Sequence, residues 1–125
     1  MSKLAKFIER LYNNTLEGKV RWDETSQEDV FQLSFPDYTL KIYDDRDSTG
    51  NTLYILQILN EEGKVIEDIS DEDIQDQLTN AFSTMQSLFE RARSQAMGLD
   101  KALDDIMSYL PTDDGNGTSS DDVPF

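Results

Sequence analysis

The stretch Thr52-Leu-Tyr-Ile-Leu-Gln-Ile-Leu59 decides how this chain of 125 residues folds, because it is apolar on both sides of an extended backbone. Successive side chains of a strand point to opposite faces of its sheet. Each face of this stretch carries three apolar side chains: Tyr54, Leu56 and Ile58 on one, and Leu53, Ile55 and Leu59 on the other. A strand that is apolar on both faces is typical of the centre of a sheet or of a surface that a partner covers. The sequence therefore predicts a β-sheet built around residues 52–59.

Shorter strands are predicted on both sides of this central one, because apolar and polar residues alternate there. The alternating apolar residues are Val20 and Trp22 in a first strand, Phe31, Leu33 and Phe35 in a second, and Leu40 and Ile42 in a third that runs from Tyr38 to Tyr43. A last edge strand is predicted at Val65-Ile66. The connections are short and polar, so we expect an antiparallel meander of about four to five strands.

Amphipathic helices are predicted at both ends of the meander, because apolar residues recur there at spacings of three and four. The first helix carries Leu4, Phe7, Ile8, Leu11, Tyr12 and Leu16, with Ser2 as its N-cap and Gly18 at its end. A long helix of about seven turns is predicted to open at Ser70, with Ile74, Leu78, Phe82, Met85, Leu88, Phe89, Ala92 and Ala96 on its apolar stripe. Gly98 ends it, and a shorter helix follows from Leu99 to Leu110, where Pro111 stops it.

Together these elements predict the α+β class: an N-terminal helix, the meander, the long helix and a shorter C-terminal helix. One domain is expected over residues 1–110, which is enough chain for a single core. Residues 111–125 are expected to form a flexible, disordered acidic tail, because they contain few apolar residues. The first residues have no continuous apolar run, so neither a signal peptide nor a membrane span is predicted, and we expect a cytoplasmic protein.

Composition narrows the functional classes further. The chain has no histidine and no cysteine, which removes disulfides, thiolate or imidazole metal sites, and nucleophiles activated by histidine. A net charge of −15 disfavours direct contact with nucleic acid, which needs a basic surface. The acidic loop that follows Tyr43 lacks the glutamate of a calcium loop, since Leu56 stands at the twelfth position from Asp45. Neighbouring carboxylates such as Asp104 and Asp105 point apart on a helix. No catalytic, cofactor or metal site is predicted, and we expect a protein that is not an enzyme.

The last five residues, Asp121, Asp122, Val123, Pro124 and Phe125, suggest a specific interaction. Phe125 combines an aromatic ring with the chain's final carboxylate, so one residue can fill an apolar pocket while its charge pairs with an arginine at the lip. Pro124 restricts its own φ and favours an extended Val123, which lowers the entropy lost on docking. The two aspartates would then lie along a basic rim. We predict that these five residues bind a partner.

This end resembles the acidic tip of bacterial single-stranded DNA-binding proteins, which finish in Asp-Asp-(Ile/Val)-Pro-Phe behind a disordered linker. In that family the tip recruits replication, recombination and repair enzymes. The resemblance covers Asp121 to Phe125 alone and not the body, whose acidity and α+β pattern differ from a DNA-binding barrel. It implies a protein of bacterial or phage origin that presents the tip to genome-maintenance enzymes, as an adaptor or as a decoy.

Two alternatives remain open at this point. The order of elements, the small size and the low pI are similar to type III secretion chaperones, which are acidic dimers that bind an extended partner; this likeness concerns the fold alone. Under either functional interpretation, the long helix and the strand from Thr52 to Leu59 would form the surface of a possible homodimer. Separately, Lys3, Lys6 and Arg10 lie on one face of the first helix. They are expected to be solvated, with intramolecular docking of the acidic tail as the alternative.

Overall fold

The computed structural model describes residues 2–112, which form an α+β fold of a five-stranded antiparallel sheet and three helices. The elements in chain order are α1 (Lys3–Leu16), β1 (Asp23–Glu24), β2 (Phe31–Ser34), β3 (Tyr38–Arg46), β4 (Thr52–Asn60), β5 (Val65–Ser70), α2 (Ala81–Ala96) and α3 (Leu99–Met107). The strands lie in the sheet in sequence order, each paired with its neighbour in the chain. The predicted class and order of elements are confirmed.

The strand β4 has the place that its two apolar faces predict, between β3 and β5. Leu56 lies opposite Ile42 of β3 and opposite Ile69 of β5, and all three side chains are buried. Pairs of this kind across neighbouring strands stabilise a sheet. The opposite face of β4 carries Leu53 and Ile55, which are half-buried. One face of the sheet therefore forms the core.

The helix α2 lies across strands β1 to β4, and α1 packs beside α2. The hydroxyl of Tyr12 on α1 donates a hydrogen bond of 3.0 Å to Ser87 Oγ on α2. On the sheet side, the Phe89 ring lies 5.7 Å from the Phe31 ring and 5.5 Å from the Tyr54 ring, within the range of attractive aromatic pairs. Met85 and Leu88 are fully buried in the same core. The core thus lies between one face of the sheet and the helices α1 and α2.

The first helix forms as predicted. Ser2 Oγ accepts a hydrogen bond of 3.1 Å from the backbone N–H of Ala5, which satisfies one of the free donors at the start of α1. The chain leaves the helix through Gly18, whose φ of +73° favours glycine. The apolar spacing places Ala5, Ile8 and Leu11 in the core.

The first strand lies later than predicted, because the alternation covers Lys19 to Asp23, whereas β1 consists of Asp23–Glu24. The backbone N–H of Trp22 donates to Gln95 Oε1 at 3.2 Å. A side chain of α2 is therefore the acceptor where a strand would use a backbone carbonyl of its neighbour. The indole N–H of Trp22 donates to Thr15 Oγ1 at 3.1 Å, and both residues are almost fully buried. Trp22 is a core residue in a connecting segment.

Other strand ends also differ from the sequence-based bounds. Phe35 follows β2 and is 44% exposed, while its N–H closes the turn by donating to Tyr38 O at 2.8 Å. The strand β3 extends beyond Tyr43 to Arg46, paired with Thr52 of β4. The acidic loop is correspondingly shorter than predicted.

The predicted long helix from Ser70 is wrong over its first ten residues, because β5 runs to Ser70 and α2 starts at Ala81. Asp71 continues the contact with β4: its Oδ1 accepts from Tyr54 N–H at 2.7 Å and its own N–H donates to Tyr54 O at 3.1 Å. The next residues form turns that still bury Ile74 and Leu78. Asn80 then adopts a φ of +61°, which a continuous right-handed helix excludes. The helix that covers the sheet therefore has 16 residues.

Candidate functional site

The residues predicted to bind a partner lie outside the part of the chain that the structure describes. They are Asp121, Asp122, Val123, Pro124 and Phe125. The structure describes the polypeptide up to Thr112, so the last described element before this segment is α3. The structure describes the surface of residues 2–112, the part of the chain that precedes this segment.

The helix α3 is the most exposed helix of residues 2–112, since every residue from Leu99 to Met107 is exposed, and the residues that follow it up to Thr112 are exposed as well. The helix and the turn that follows it expose a row of large apolar side chains: Leu99, Leu103, Ile106, Met107, Tyr109 and Leu110. Leu103 is 45% exposed, and Tyr109 is 84% exposed. Contiguous apolar surfaces of this kind mark sites of interaction more often than single exposed apolar residues do. We call the residues Leu99, Leu103, Ile106 and Leu110 the α3 seam.

The direction of α3 follows from the residue that precedes it. Gly98 has a φ of +74°, which ends α2 and turns the chain before α3 begins. Of the helices and strands in residues 2–112, α3 contacts α2 alone. The sequence correctly predicted both the break at Gly98 and the apolar stripe, but not that the stripe would lie away from the core.

A groove lies where the end of α1, the C-terminal half of α2 and the start of α3 meet. Its floor is held by Gln95, whose Nε2 donates to Thr15 O at 3.1 Å while its Oε1 accepts from the Trp22 N–H. Three cations and one carboxylate line the groove around a cavity of about 330 Å³: Arg21, Arg91, Lys101 and Asp100. This is a concentration of cations on a chain whose net charge is −15.

The cations of the groove differ in their partners. Lys101 Nζ lies 2.7 Å from Asp105 Oδ2 in an exposed ion pair one helical turn away. Arg21 and Arg91 form no ion pair with any residue from 2 to 112. Chemically, the groove offers two guanidinium groups to an anion. No pattern in the sequence indicates this groove, because Arg21 and Arg91 are separated by most of the chain.

Lys3, Lys6 and Arg10, which the sequence grouped on one face of α1, are all exposed. None of the three forms an ion pair with a residue in the described range. They agree with a solvated face, and docking of the tail on them stays a prediction.

In the acidic loop between β3 and β4, the carboxylate of Asp47 accepts hydrogen bonds from other residues of the loop. Asp47 Oδ1 accepts hydrogen bonds from Thr49 Oγ1 at 2.6 Å, from Thr49 N–H at 2.9 Å and from Asn51 N–H at 2.9 Å. These bonds hold the pKa of Asp47 below its ordinary value, with the Thr49 hydroxyl as the main cause. Within residues 2–112, no three acidic side chains come together in a group that could hold a metal ion. The arrangement is that of a hydrogen-bonded turn between β3 and β4.

Tyr43 lies on the face of the sheet opposite the core. Burial raises the pKa of its hydroxyl, and the nearby Asp68 and Asp45 carboxylates raise it further.

Among the described residues, no helix combines the length and the apolar character needed to cross a membrane. No protein-family model matches the sequence, and neither a curated protein nor a solved structure that matches it was found.

Proposed function

We propose that this chain is a non-enzymatic protein-interaction module that presents its last five residues to DNA replication, recombination or repair enzymes, as an adaptor or as a decoy. The single observation that carries the proposal is the sequence Asp121-Asp122-Val123-Pro124-Phe125. Its five positions agree with the recruiting tip of bacterial single-stranded DNA-binding proteins. The partner is an enzyme with an apolar pocket whose rim is basic.

The chemistry of the tip supports this choice of partner. Burial of the Phe125 ring contributes about 2 kcal/mol. Its carboxylate and the two aspartates carry negative charge that pairs with arginine or lysine at the pocket rim. The carboxylate takes this part only where Phe125 is the free end of the chain, which makes an added C-terminal residue a direct test.

The charge of the described body supports the same proposal. The chain has 26 acidic residues against 11 lysines and arginines, and only four of the acidic residues stand after Pro111. A strongly acidic body repels nucleic acid and accelerates encounters with a basic surface. The body therefore favours a partner enzyme over the DNA itself.

The acidic dimeric chaperone is the second candidate, and one observation favours it. The α3 seam and its neighbour Met107 form an apolar surface whose side chains are 45–58% exposed, and α2 is the one described helix or strand in contact with α3. A chaperone would use such a surface for an extended or helical partner. In that case recognition lies in α3, and Phe125 has no part in it.

Affinity capture from a bacterial lysate distinguishes the two candidates. The bait is the full chain, compared with a form lacking Phe125 and with a form that carries one added C-terminal glycine. We expect exonuclease- or helicase-class proteins on the full chain and their loss from both altered forms. Tyr109→Ala is the matched control, because it removes an aromatic ring that is 84% exposed in the turn after α3.

Identical captured proteins on all baits would contradict the proposal. Loss with Tyr109→Ala together with retention in the absence of Phe125 would place recognition in α3, as the chaperone candidate requires.

The charges of the tip allow a second matched comparison. Asp121→Asn with Asp122→Asn removes two charges from the tip, whereas Asp113→Asn with Asp114→Asn removes the same charge from the preceding segment. We expect the first pair to weaken capture and the second pair to leave it nearly unchanged. Capture by the unaltered chain is expected to fall as salt is raised, because the contacts are between opposite charges. Capture that is insensitive to salt would favour an apolar groove instead.

A further inference from the structure

We propose that α3 pairs in antiparallel fashion with α3 of a second copy of this chain. The apolar and polar residues of α3 separate cleanly onto two sides of the helix, yet the helix has no buried residue. A helix of nine residues is too short to be stable on its own in water. Its contact with α2 leaves the large apolar side chains from Leu99 to Met107 between 45% and 58% exposed, so a further element has to cover them.

The spacing of the α3 seam is that of a helix that packs against another helix. Leu99, Leu103, Ile106 and Leu110 follow each other at intervals of four, three and four residues. This is the spacing of the two apolar positions of a heptad repeat, which form the seam of paired helices. Backbone bonds from Tyr109 N–H to Ile106 O and from Leu110 N–H to Met107 O continue the helical turn beyond Met107.

An antiparallel pair matches this seam with itself. With the two helices centred between Asp104 and Asp105, Leu99 of one copy lies opposite Leu110 of the other, and Leu103 lies opposite Ile106. Each layer is then filled by two large aliphatic side chains, and the symmetry produces every contact twice. Beside the seam, the small Ala102 of one copy comes near the large Tyr109 of the other.

The charges of α3 are compatible with this arrangement. Lys101, Asp104 and Asp105 occupy heptad positions away from the seam, with the Lys101–Asp105 ion pair on that outer side, and Asp100 flanks the seam in the first turn of α3. Antiparallel pairing also places the two acidic bodies at opposite ends of a helix pair that is about 18 Å long, at 1.5 Å per residue for twelve residues. Parallel pairing would bring the bodies together, and like charges would oppose it.

The remaining segment of this chain is a poorer occupant of the seam. Residues 113–125 contain one short apolar group, formed by Val123, Pro124 and Phe125, against the four large residues of the seam. A second copy supplies apolar residues in equal number and at the matching spacing.

The consequence for function is that one dimer carries two copies of the C-terminal segment. A partner or a cluster of partners with two pockets would then bind both, and the second binding event would be intramolecular. The pairing does not depend on the proposed function, because it uses no residue after Leu110. The two paired α3 surfaces together bury on the order of 1,000 Å², which is at the lower limit for specific interfaces. We therefore expect a dissociation constant of the dimer in the micromolar range.

Sedimentation equilibrium of the full chain over a wide concentration range tests the pairing. We expect a monomer at low concentration and a dimer at high concentration, with Leu103→Asp raising the dissociation constant at least tenfold. Lys101→Gln is the control, because it lowers the net charge by the same one unit on the outer side of α3, breaks only an exposed ion pair and should leave the dimer intact. Phe125→Ala should also leave it intact. A monomer at all concentrations, or loss of the dimer in Phe125→Ala, would overturn the proposal.

Disulfide formation tests the antiparallel register, since the chain has no cysteine of its own. An equal mixture of Leu99→Cys and Leu110→Cys chains should form a mixed disulfide dimer under mild oxidation, and each variant alone should form much less. Circular dichroism of both variants checks that the body remains folded. Efficient cross-linking of each variant with itself would show a parallel pair and contradict the register.

Discussion

The helices α2 and α3 follow each other in the chain with only Met97 and Gly98 between them, and they differ completely in burial. The helix α2 buries Ala81, Met85, Leu88, Phe89 and Ala92, whereas α3 buries no residue. Yet apolar and polar residues separate more cleanly on α3 than on α2. An amphipathic pattern therefore specifies a helix and its apolar face, but not which element will cover that face.

The difference in burial between α2 and α3 arises from the elements that each helix contacts. The helix α2 lies over strands β1 to β4, where Phe89 packs against Phe31 and Tyr54. After Gly98 the chain leaves the sheet, and α3 has only α2 as a neighbour in the described chain. Substitutions in the two helices and at their boundaries should therefore have very different effects.

Removal of one leucine from each helix tests the contrast most strongly. Leu88 on α2 is fully buried and Leu103 on α3 is 45% exposed. We expect Leu88→Ala to lower the free energy of unfolding by about 3 kcal/mol, because it opens a cavity in the core. Leu103→Ala should lower it by less than about 0.5 kcal/mol in dilute protein. Urea denaturation at low protein concentration measures both, and equal losses would show that α3 belongs to the core.

Asp71 tests the segment that replaces the expected start of the long helix. Its carboxylate accepts the backbone N–H of Tyr54 on β4, and the residue is buried. Asp71→Ala should lower the free energy of unfolding by about 1–3 kcal/mol, since the Tyr54 N–H is left without a partner. Asp76→Ala, at an exposed position of the same segment, should change it little. Similar values for both variants would mean that Asp71 does not anchor this segment.

Asp71 and its neighbours also show what could be predicted from sequence and what could not. The central strand and the first helix could be predicted because their contacts with the core produce local patterns: apolar residues alternate around Leu56, and they recur at helical spacing in α1. Asp71 and Trp22 make hydrogen bonds to residues distant in sequence, Tyr54 and Gln95, and such bonds leave no periodic pattern. Ile74 and Leu78 have helical spacing and are buried, although they lie in turns. The extension of a helix back to Ser70 therefore failed.

The surface features of the candidate site also divide into one that the sequence predicts and one that it does not. The apolar stripe of α3 was found from its spacing, because an amphipathic pattern is local in sequence. The groove that contains Arg21 and Arg91 depends on how α1, α2 and α3 meet, which no local pattern records. The tip from Asp121 to Phe125 stays a prediction, since it lies outside the described residues.

Gly98 tests the boundary between the two helices. Its φ of +74° strains any residue that has a side chain, although a Cβ there would meet no atom within 4 Å beyond the neighbouring residues of the chain. Gly98→Ala should lower the free energy of unfolding by about 1 kcal/mol through this strain alone. It should also weaken the dimer, because relief of the strain would redirect α3. Ser94→Ala, inside α2, is the control. An unchanged stability in Gly98→Ala would mean that the turn at this position does not need glycine.

Hydrogen exchange of the backbone amides tests most directly the claim that a second copy covers α3. The full chain is measured at about 1 µM and at about 200 µM, below and above the expected dissociation constant. We predict that the amides of α2 are protected equally at both concentrations, and that those of α3 are protected only at the higher one. Protection of α3 at both concentrations would show that its own chain covers it. Lack of protection at both would show that the seam binds no second copy.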